Sequence, residues 1–424
     1  MQSVDPHAIA CRDLAERFGT PLYVYDAEVL EQTYRELRSH LPRQVDVFYS
    51  LKANPNLSVC AFLHGLGAGA EVSSYVELRT ALQAGVAPDD IIFLGPGKDL
   101  QELRACLDAG IHAVVCESLD EVAQLDQLAA ERGELCPVIF RVNPAFGSKG
   151  SGLAMGGKPR QFGIDEETLQ SAKSLLADLS HVRVKGIHAY MGTRFLHHED
   201  VVSNTERILQ MADHLASVLG IPLETVDFGG GLGVAYFDNE SDLDLARLGS
   251  GITRVVEPFT RRHPGCRLIM ELGRYLTASS GTYVVKVRQV KESMGEIFAV
   301  ADGGTNHHMA AVGAGSFVKR NFPIRHLTRS GAPASRPYTV TGPLCTPNDV
   351  IGKKVPLPEV RPGDLLGVER SGAYGPTASP GLFLSHGFPA EVMTYRGKAH
   401  LVRARDTSDD LLAKQRLVDL HAAS

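Results

Sequence analysis

The chain has 424 residues, 44% of them hydrophobic and 22% charged, with a formal net charge of −6. This length exceeds what one hydrophobic core usually supports, so two domains, or a barrel with an appendage, are predicted. The acidic balance argues against a general nucleic-acid binder, which needs a basic footprint, and no apolar run approaches the ~18 residues of a membrane span. From Met1 to Gly19 there is neither the basic n-region nor the apolar h-region of a secretory signal. The 7 cysteines are scattered singly, with no CxxC clip and an odd count that speaks against a disulfide framework. A cytoplasmic protein with no nucleic-acid or membrane partner is expected.

The early run Pro21 to Tyr25 reads as a strand, followed by a helix over Ala27 to Ser39. Strand patterns then recur at 45–50, 70–72, 91–94, 113–115, 138–142, 184–188, 225–228 and 267–270, with helical patterns between most of them. Such alternation predicts a parallel sheet, because each crossover needs a helix to return the chain. Eight units over roughly 230 residues suit a (β/α)8 barrel. After Glu271 the pattern changes to strands with little helix between them, at 282–287, 297–300, 338–340 and 364–368. An antiparallel β domain therefore follows the barrel, and the early strand is placed to complete it. The expected division is 1–38 joining the β domain, 39–277 as barrel and 278–424 as β domain.

Catalytic residues of a barrel lie at the C-terminal ends of its strands. That filter selects Lys52, Arg141, His188 to Thr193, Gly229 to Gly233 and Glu271 to Arg274. A lone strand-end lysine normally just reaches solvent. Asp227-Phe228-Gly229-Gly230-Gly231-Leu232-Gly233 is a strand running into glycines, which suits close backbone approach to a phosphate. A dinucleotide fingerprint would need an acidic strand end farther on, and only Phe237-Asp238-Asn239-Glu240-Ser241 follows. Lysine, glycine cradle and a strand-end Glu-x-x-Arg together point to pyridoxal phosphate (PLP), bound by the lysine and with its ring nitrogen facing the acid. His197-His198-Glu199-Asp200 starts a helix and its side chains point apart; no metal site is predicted there or at His307-His308.

Several motifs, in order, resemble the fold-type III PLP-dependent decarboxylases, the group of diaminopimelate, ornithine and arginine decarboxylases on an alanine-racemase-like barrel. Phe48 to Ala53 resembles the family's Schiff-base lysine motif, and Phe93-Leu94-Gly95-Pro96-Gly97-Lys98 its Gly-Pro strand end. Glu271-Leu272-Gly273-Arg274 resembles Glu-Pro-Gly-Arg, Gly342-Pro343-Leu344-Cys345 resembles Gly-Pro-x-Cys, and Ser371-Gly372-Ala373-Tyr374 resembles Ala-Gly-Ala-Tyr. The resemblance implies PLP on Lys52, with Glu271 at the pyridine nitrogen. It further implies phosphate contacts from Gly230, Gly231, Arg274, Tyr374 and Thr193, with Arg141 also in the cofactor site. It implies a homodimer with shared sites, in which Cys345 reaches the partner's site and returns a proton to Cα after CO2 leaves.

Departures from the family pattern concern the substrate. His188-Ala189-Tyr190-Met191-Gly192-Thr193 puts Tyr190 where a histidine stacks on the cofactor, which leaves His188 behind it. Cys345-Thr346-Pro347-Asn348-Asp349 lacks the substrate-facing glutamate, and Leu384-Ser385-His386-Gly387-Phe388-Pro389 lacks an arginine. A site without these distal clamps should reject free diaminopimelate. Thr346, Asn306, His307 and Arg320 are the residues expected on the substrate side. The variants, with Ser151 to Gly163, resemble a branch in specialised biosynthesis that includes enzymes acting on carrier-tethered aminoacyl groups, as well as siderophore and exopolysaccharide relatives. From Gly303 to Asn348 there is no acid, while Lys319, Arg320, Arg325, Arg329 and Arg336 fall inside. This segment reads equally as a solvated, paired loop or as a steering patch for an anion such as an acidic carrier protein. Diaminopimelate decarboxylase, an amino-acid racemase and a non-catalytic regulator are the rival readings.

Overall fold

The computed structural model describes residues 6–147, 150–312 and 320–420, so Lys319 lies outside the described residues. The chain divides into two compact units, 27–279 and 1–26 with 280–424. The division falls after Asp26 and before Ser280, not at residues 38 and 277 as the sequence suggested. The reason is helix α2 (Ala27–His40), whose buried Leu30, Tyr34 and Leu37 form an apolar stripe. That stripe packs on helices of the barrel unit, α3 (Leu57–Gly65) and α7 (Leu245–Arg262). The fit is close enough that a Cβ at Gly249 of α7 would lie 2.2 Å from the His40 carbonyl oxygen.

Unit 27–279 is a closed barrel. After the N-terminal strand β1 (Leu22–Asp26) its eight strands are β2 (Val45–Ser50), β3 (Gly69–Val72), β4 (Ile91–Phe93), β5 (Ala113–Cys116), β6 (Cys136–Asn143), β7 (Val182–His188), β8 (Thr225–Gly230) and β9 (Arg267–Leu272). Each pairs in parallel with the next, and β9 returns to β2 through the pair Glu271↔Phe48, closing the cylinder. These are the eight strands the alternating pattern predicted. Phe48, Ile92, Val115, Ile139 and Ile269 pack together inside, so the barrel is filled and its chemistry is confined to the strand ends. Local signals set the crossovers: Ser74 and Ser118 cap helices α4 (Tyr75–Gln83) and α6 (Leu119–Arg132). Asp99 and Glu102 form a capping box on α5 (Leu100–Ala109), which ends on Gly110 at φ +62°.

The second unit is a mainly antiparallel sheet. β10 (Gly281–Ser293) pairs antiparallel with β1, β11 (Glu296–Ala301) and a further strand, Leu365–Val368. Two pairings are parallel, β1 with Ala390–Tyr395 and β11 with Arg336–Thr341. A strand delivered from a distant part of the chain is free of the hairpin that would force it antiparallel. Helix α1 (Pro6–Phe18) lays Cys11, Leu14 and Ala15 on Leu22, Val24, Val284, Leu365 and Val392, which ties the N-terminus into this core. Among the described residues no helix is long and apolar enough to cross a membrane.

Candidate active site

Strand β2 ends at Ser50 and turns through a single 3-10 turn, Leu51–Ala53, with Leu51 and Ala53 buried and the Lys52 side chain 41% exposed. The turn thus anchors its flanks and projects the lysine from the barrel mouth. Lys52 Nζ stands 3.3 Å from Glu71 Oε2 and 5.5 Å from the centre of the Tyr190 ring. Glu71, at the end of β3, is buried and accepts hydrogen bonds from the Ser50 and Ser73 hydroxyls. Close by, Glu77 accepts from the Ser73 amide at 2.8 Å, and burial, then the Glu71 charge, push its carboxyl up to about 7. The amine therefore sits in an acidic corner.

A buried trio lies across the mouth. His188 ends β7, Asp227 lies on β8 and Glu271 lies on β9, with one ligand atom of each inside 4.8 Å of the others. His188 Nε2 is 3.3 Å from Glu271 Oε1, an ion-pair distance without hydrogen-bond alignment. Burial alone would raise the Glu271 carboxyl, but His188, Lys52 and Arg141 outweigh it and hold the group at about 2. Asp227 goes the other way: burial and the Glu271 charge raise its carboxyl, and its Oδ1 accepts from the Gly229 amide at 2.8 Å. The two neighbouring carboxyls are thus pushed in opposite directions. Neither Glu271 oxygen has a hydrogen-bond donor among the described residues, although the residue is only 2% exposed. Such an acceptor suits the protonated nitrogen of a bound aromatic ring.

The glycine run turns immediately beside this trio. Gly229 and Gly231 adopt φ +65° and +73°, which only glycine takes without strain. A Cβ at Gly230 would lie 2.1 Å from the Glu271 carbonyl oxygen, and one at Gly231 would lie 2.0 Å from that of Gly192. The run lets three strand ends converge. Gly192-Thr193 pairs antiparallel with Leu153-Ala154, so the loop after β6 is hydrogen-bonded to the end of β7. After β9, Gly273 packs against the Lys52 turn, where a Cβ would lie 2.7 Å from that of Ala53. The next residue, Arg274, donates to the Tyr236 hydroxyl at 3.1 Å. Arg141 is held by Glu117 at 2.8 Å under the Phe162 ring, and Glu117 also accepts from the Gly95 and Gly163 amides.

In the β unit, Cys345 is the one exposed cysteine of seven, on the loop between Thr341 and Val350. Thr346 and Tyr374 are partly exposed and Arg320 is exposed, while Tyr374 adopts φ +54°.

Residues 27–278 match the model of the pyridoxal-dependent decarboxylases, pyridoxal binding domain. The chain belongs to that family. It is 37% identical over 412 residues to the L-glutamyl-[BtrI acyl-carrier protein] decarboxylase of Niallia circulans, covering 95% of each. It is 34% identical to the diaminopimelate decarboxylase of Pseudomonas aeruginosa, covering 97% of this chain and 96% of that one. The solved diaminopimelate decarboxylase of Helicobacter pylori in complex with L-lysine superposes with a TM-score of 0.85 at 28% identity, over 95% of this chain and 98% of that one. This protein is a PLP-dependent decarboxylase, a carboxy-lyase of amino acids.

Within this decarboxylase the barrel gathers Lys52, Arg141, Tyr190, Thr193, Gly230, Gly231, Glu271 and Arg274 around one set of strand ends. Two expected substrate residues are corrected. Asn306 is fully buried, and its Oδ1 accepts from the Gly304 amide. His307 is 4% exposed, with Nδ1 on the Tyr283 hydroxyl and Nε2 on the Gly387 carbonyl. A polar side chain following a glycine turn satisfies itself inside the fold when the turn packs. Of the two readings of the basic segment, pairing is what Arg325 and Arg329 show. Arg325 pairs with Glu369 at 2.9 Å, and Arg329 donates to the Glu359 carbonyl at 2.7 Å with Asp364 3.8 Å away, so acids beyond residue 348 supply what the segment lacks. Lys98, near-buried on Gly95, Val115 and Glu121, is a structural lysine. Glu71, Glu117, Asp227 and Tyr236 were not predicted as site residues; strand-end position alone would have flagged the two glutamates.

Proposed function

We propose that this decarboxylase removes the α-carboxylate of an aminoacyl group tethered to a carrier protein, in specialised biosynthesis, and not of free diaminopimelate. The observation that carries the reading is the 37% identity, over 95% of both chains, to an enzyme named for a glutamyl group on an acyl-carrier protein. The sequence departures at Thr346 and across Leu384 to Phe388 agree with it, since they remove charged groups from the distal end of the site. An amino acid tethered as a thioester through its side-chain carboxyl keeps the α-carboxylate to be lost, and has no free distal ammonium-carboxylate pair to clamp in the manner of diaminopimelate.

PLP, when bound, supplies an electron-withdrawing ring that accepts the electrons left on Cα as CO2 departs. Lys52 would hold PLP through Nζ, and Glu71, 3.3 Å away, would face that amine when the substrate takes its place. Glu271, ionised with both oxygens open to a donor, keeps the ring nitrogen protonated. Gly230, Gly231, Thr193 and Arg274 hold the phosphate, joined by Tyr374, and Tyr190 covers a face of the ring. Cys345 returns the proton to Cα. The family resemblance implies a homodimer in which two chains supply these groups to each other, and a carrier-tethered substrate implies an acidic carrier protein as a partner. Incubating the holoenzyme with glutamyl-carrier protein and with free meso-diaminopimelate, and following CO2 by mass spectrometry, tests the substrate. Release from the tethered substrate alone is expected; faster release from diaminopimelate would overturn the reading, and loss of optical activity without CO2 would indicate a racemase.

A further inference from the structure

The loop that carries Cys345 joins two paired strands, with Thr341 opposite Val350 at its base. Its hydrogen bonds close inward on Asp349, a carboxylate only 2% exposed. Asp349 Oδ2 accepts from the Leu344 amide at 2.8 Å, the residue immediately before Cys345. Its Oδ1 accepts from the Thr305 amide at 2.7 Å and from the Thr305 hydroxyl at 3.0 Å. The backbone follows the same path, since the Thr346 amide donates to the Leu344 carbonyl and the Gly342 amide to the Asp349 carbonyl. Two glycines make room for the carboxylate. A Cβ at Gly304 would lie 2.2 Å from Asp349 Oδ1, and one at Gly342 would lie 2.5 Å from Oδ2. The turn at Gly304 is itself fastened to the Tyr374 loop, because His308 Nε2 meets the Ser371 hydroxyl at 2.7 Å.

We infer that Asp349 is a positioning residue for Cys345: it bolts the thiol-bearing loop to the Gly304–Thr305 turn and so fixes where the thiol can deliver its proton. The inference rests on the reading of Cys345 as the group that reprotonates Cα. Three donors converge on one carboxylate, which is the only side chain of this size that can accept all of them. An asparagine must set its NH2 against one of these donors, whichever way it is turned, and a buried donor facing a donor is strongly unfavourable. The loop would then leave its seat, although its sequence from Gly342 to Asn348 is unchanged. Proton delivery is sensitive to such a shift, because reacting atoms must be held within a few tenths of an ångström.

The test is a double-mutant cycle on the holoenzyme with Asp349→Asn and Cys345→Ala, read by turnover, by the ratio of decarboxylation to abortive transamination of the cofactor, and by the rate of Cys345 alkylation. Alkylation is selective because the other six cysteines are buried. Asp349→Asn should slow turnover about tenfold, from the unmatched buried donor, shift product partitioning in the same direction as Cys345→Ala, and leave the visible absorbance of lysine-bound PLP intact. Added to Cys345→Ala it should do little more, since the group it positions is already gone. Thr305→Val, which removes only the hydroxyl donor, should give a smaller change of the same sign, and it serves if the asparagine variant does not fold. Full additivity of the two variants, or unchanged partitioning and alkylation in Asp349→Asn, would overturn the inference. If Cys345→Ala left partitioning intact while Asp349→Asn changed the alkylation rate, the role of Cys345 would fail and the tether would stand.

Discussion

The barrel mouth and the basic stretch of the β unit contain the same kinds of charged residue, and they use them in opposite ways. At the mouth, Arg141–Glu117 and His188–Glu271 are buried pairs, and Lys52 meets the buried Glu71. In the β unit, Arg325 meets Glu369 and Arg329 meets Glu359 with side chains between 28% and 48% exposed. In water such pairs are screened and contribute little, whereas an uncompensated charge inside a barrel costs several kcal/mol. Charge counted along the sequence therefore says little about function until burial is known. The acid-free run stood out by composition, yet its Arg325 and Arg329 find acids elsewhere in the β unit. The mouth had no unusual composition, yet it concentrates displaced protonation states.

The comparison predicts a graded set of effects. Lys52→Ala should abolish turnover and the borohydride-reducible PLP adduct, because the other motif lysine, Lys98, is occupied by three oxygens. Retention of that adduct would break the assignment of the mouth. Glu271→Gln should still bind PLP but lower kcat on the order of a hundredfold, the scale of losing one preorganised electrostatic partner. Single-turnover CO2 release at saturating PLP measures it, and a change below tenfold would mean that ring protonation does not depend on this carboxylate.

Buried histidines of the β unit give a pH effect of intermediate size. Burial lowers His307 and His308 from 6.5 to about 4, so both are neutral in the fold and protonate more readily when unfolded. Their contribution to stability is fully present above about pH 6.5 and is lost as the pH falls toward 4, on the order of 3 kcal/mol for each. Denaturant melts of the wild type and His308→Gln across that window should show a shallower fall in the variant; parallel curves would contradict the burial account. The smallest effect belongs to the basic segment. Reversing Arg325 and Arg329 to Glu should leave KM within about twofold and cost up to about 1 kcal/mol of stability per pair. A KM that rises at low salt and recovers at high salt would restore the steering role and erase the contrast between the two regions.

Much of the molecule was legible in the sequence because period and punctuation encode it. Strand-helix alternation from Val45 to Met270 predicts the closed barrel, and the switch to bare strands after Glu271 predicts the sheet. Lys52, the glycine run and Glu-x-x-Arg stand at strand ends, where backbone geometry alone exposes a side chain to the mouth. What the sequence leaves open involves partners remote along the chain. That α2 joins the barrel rests on Leu30, Tyr34 and Leu37 meeting helices formed much later. That Asn306 and His307 turn inward rests on Tyr283 and on Gly304 and Gly387. That Glu271 is pushed down while Asp227 is pushed up rests on His188, Lys52 and Arg141, which lie far apart along the chain. The sequence by itself determined the elements and the chemistry available at their ends; only the tertiary structure decided burial and pairing, because desolvation and charge neighbours depend on contacts that no local pattern encodes.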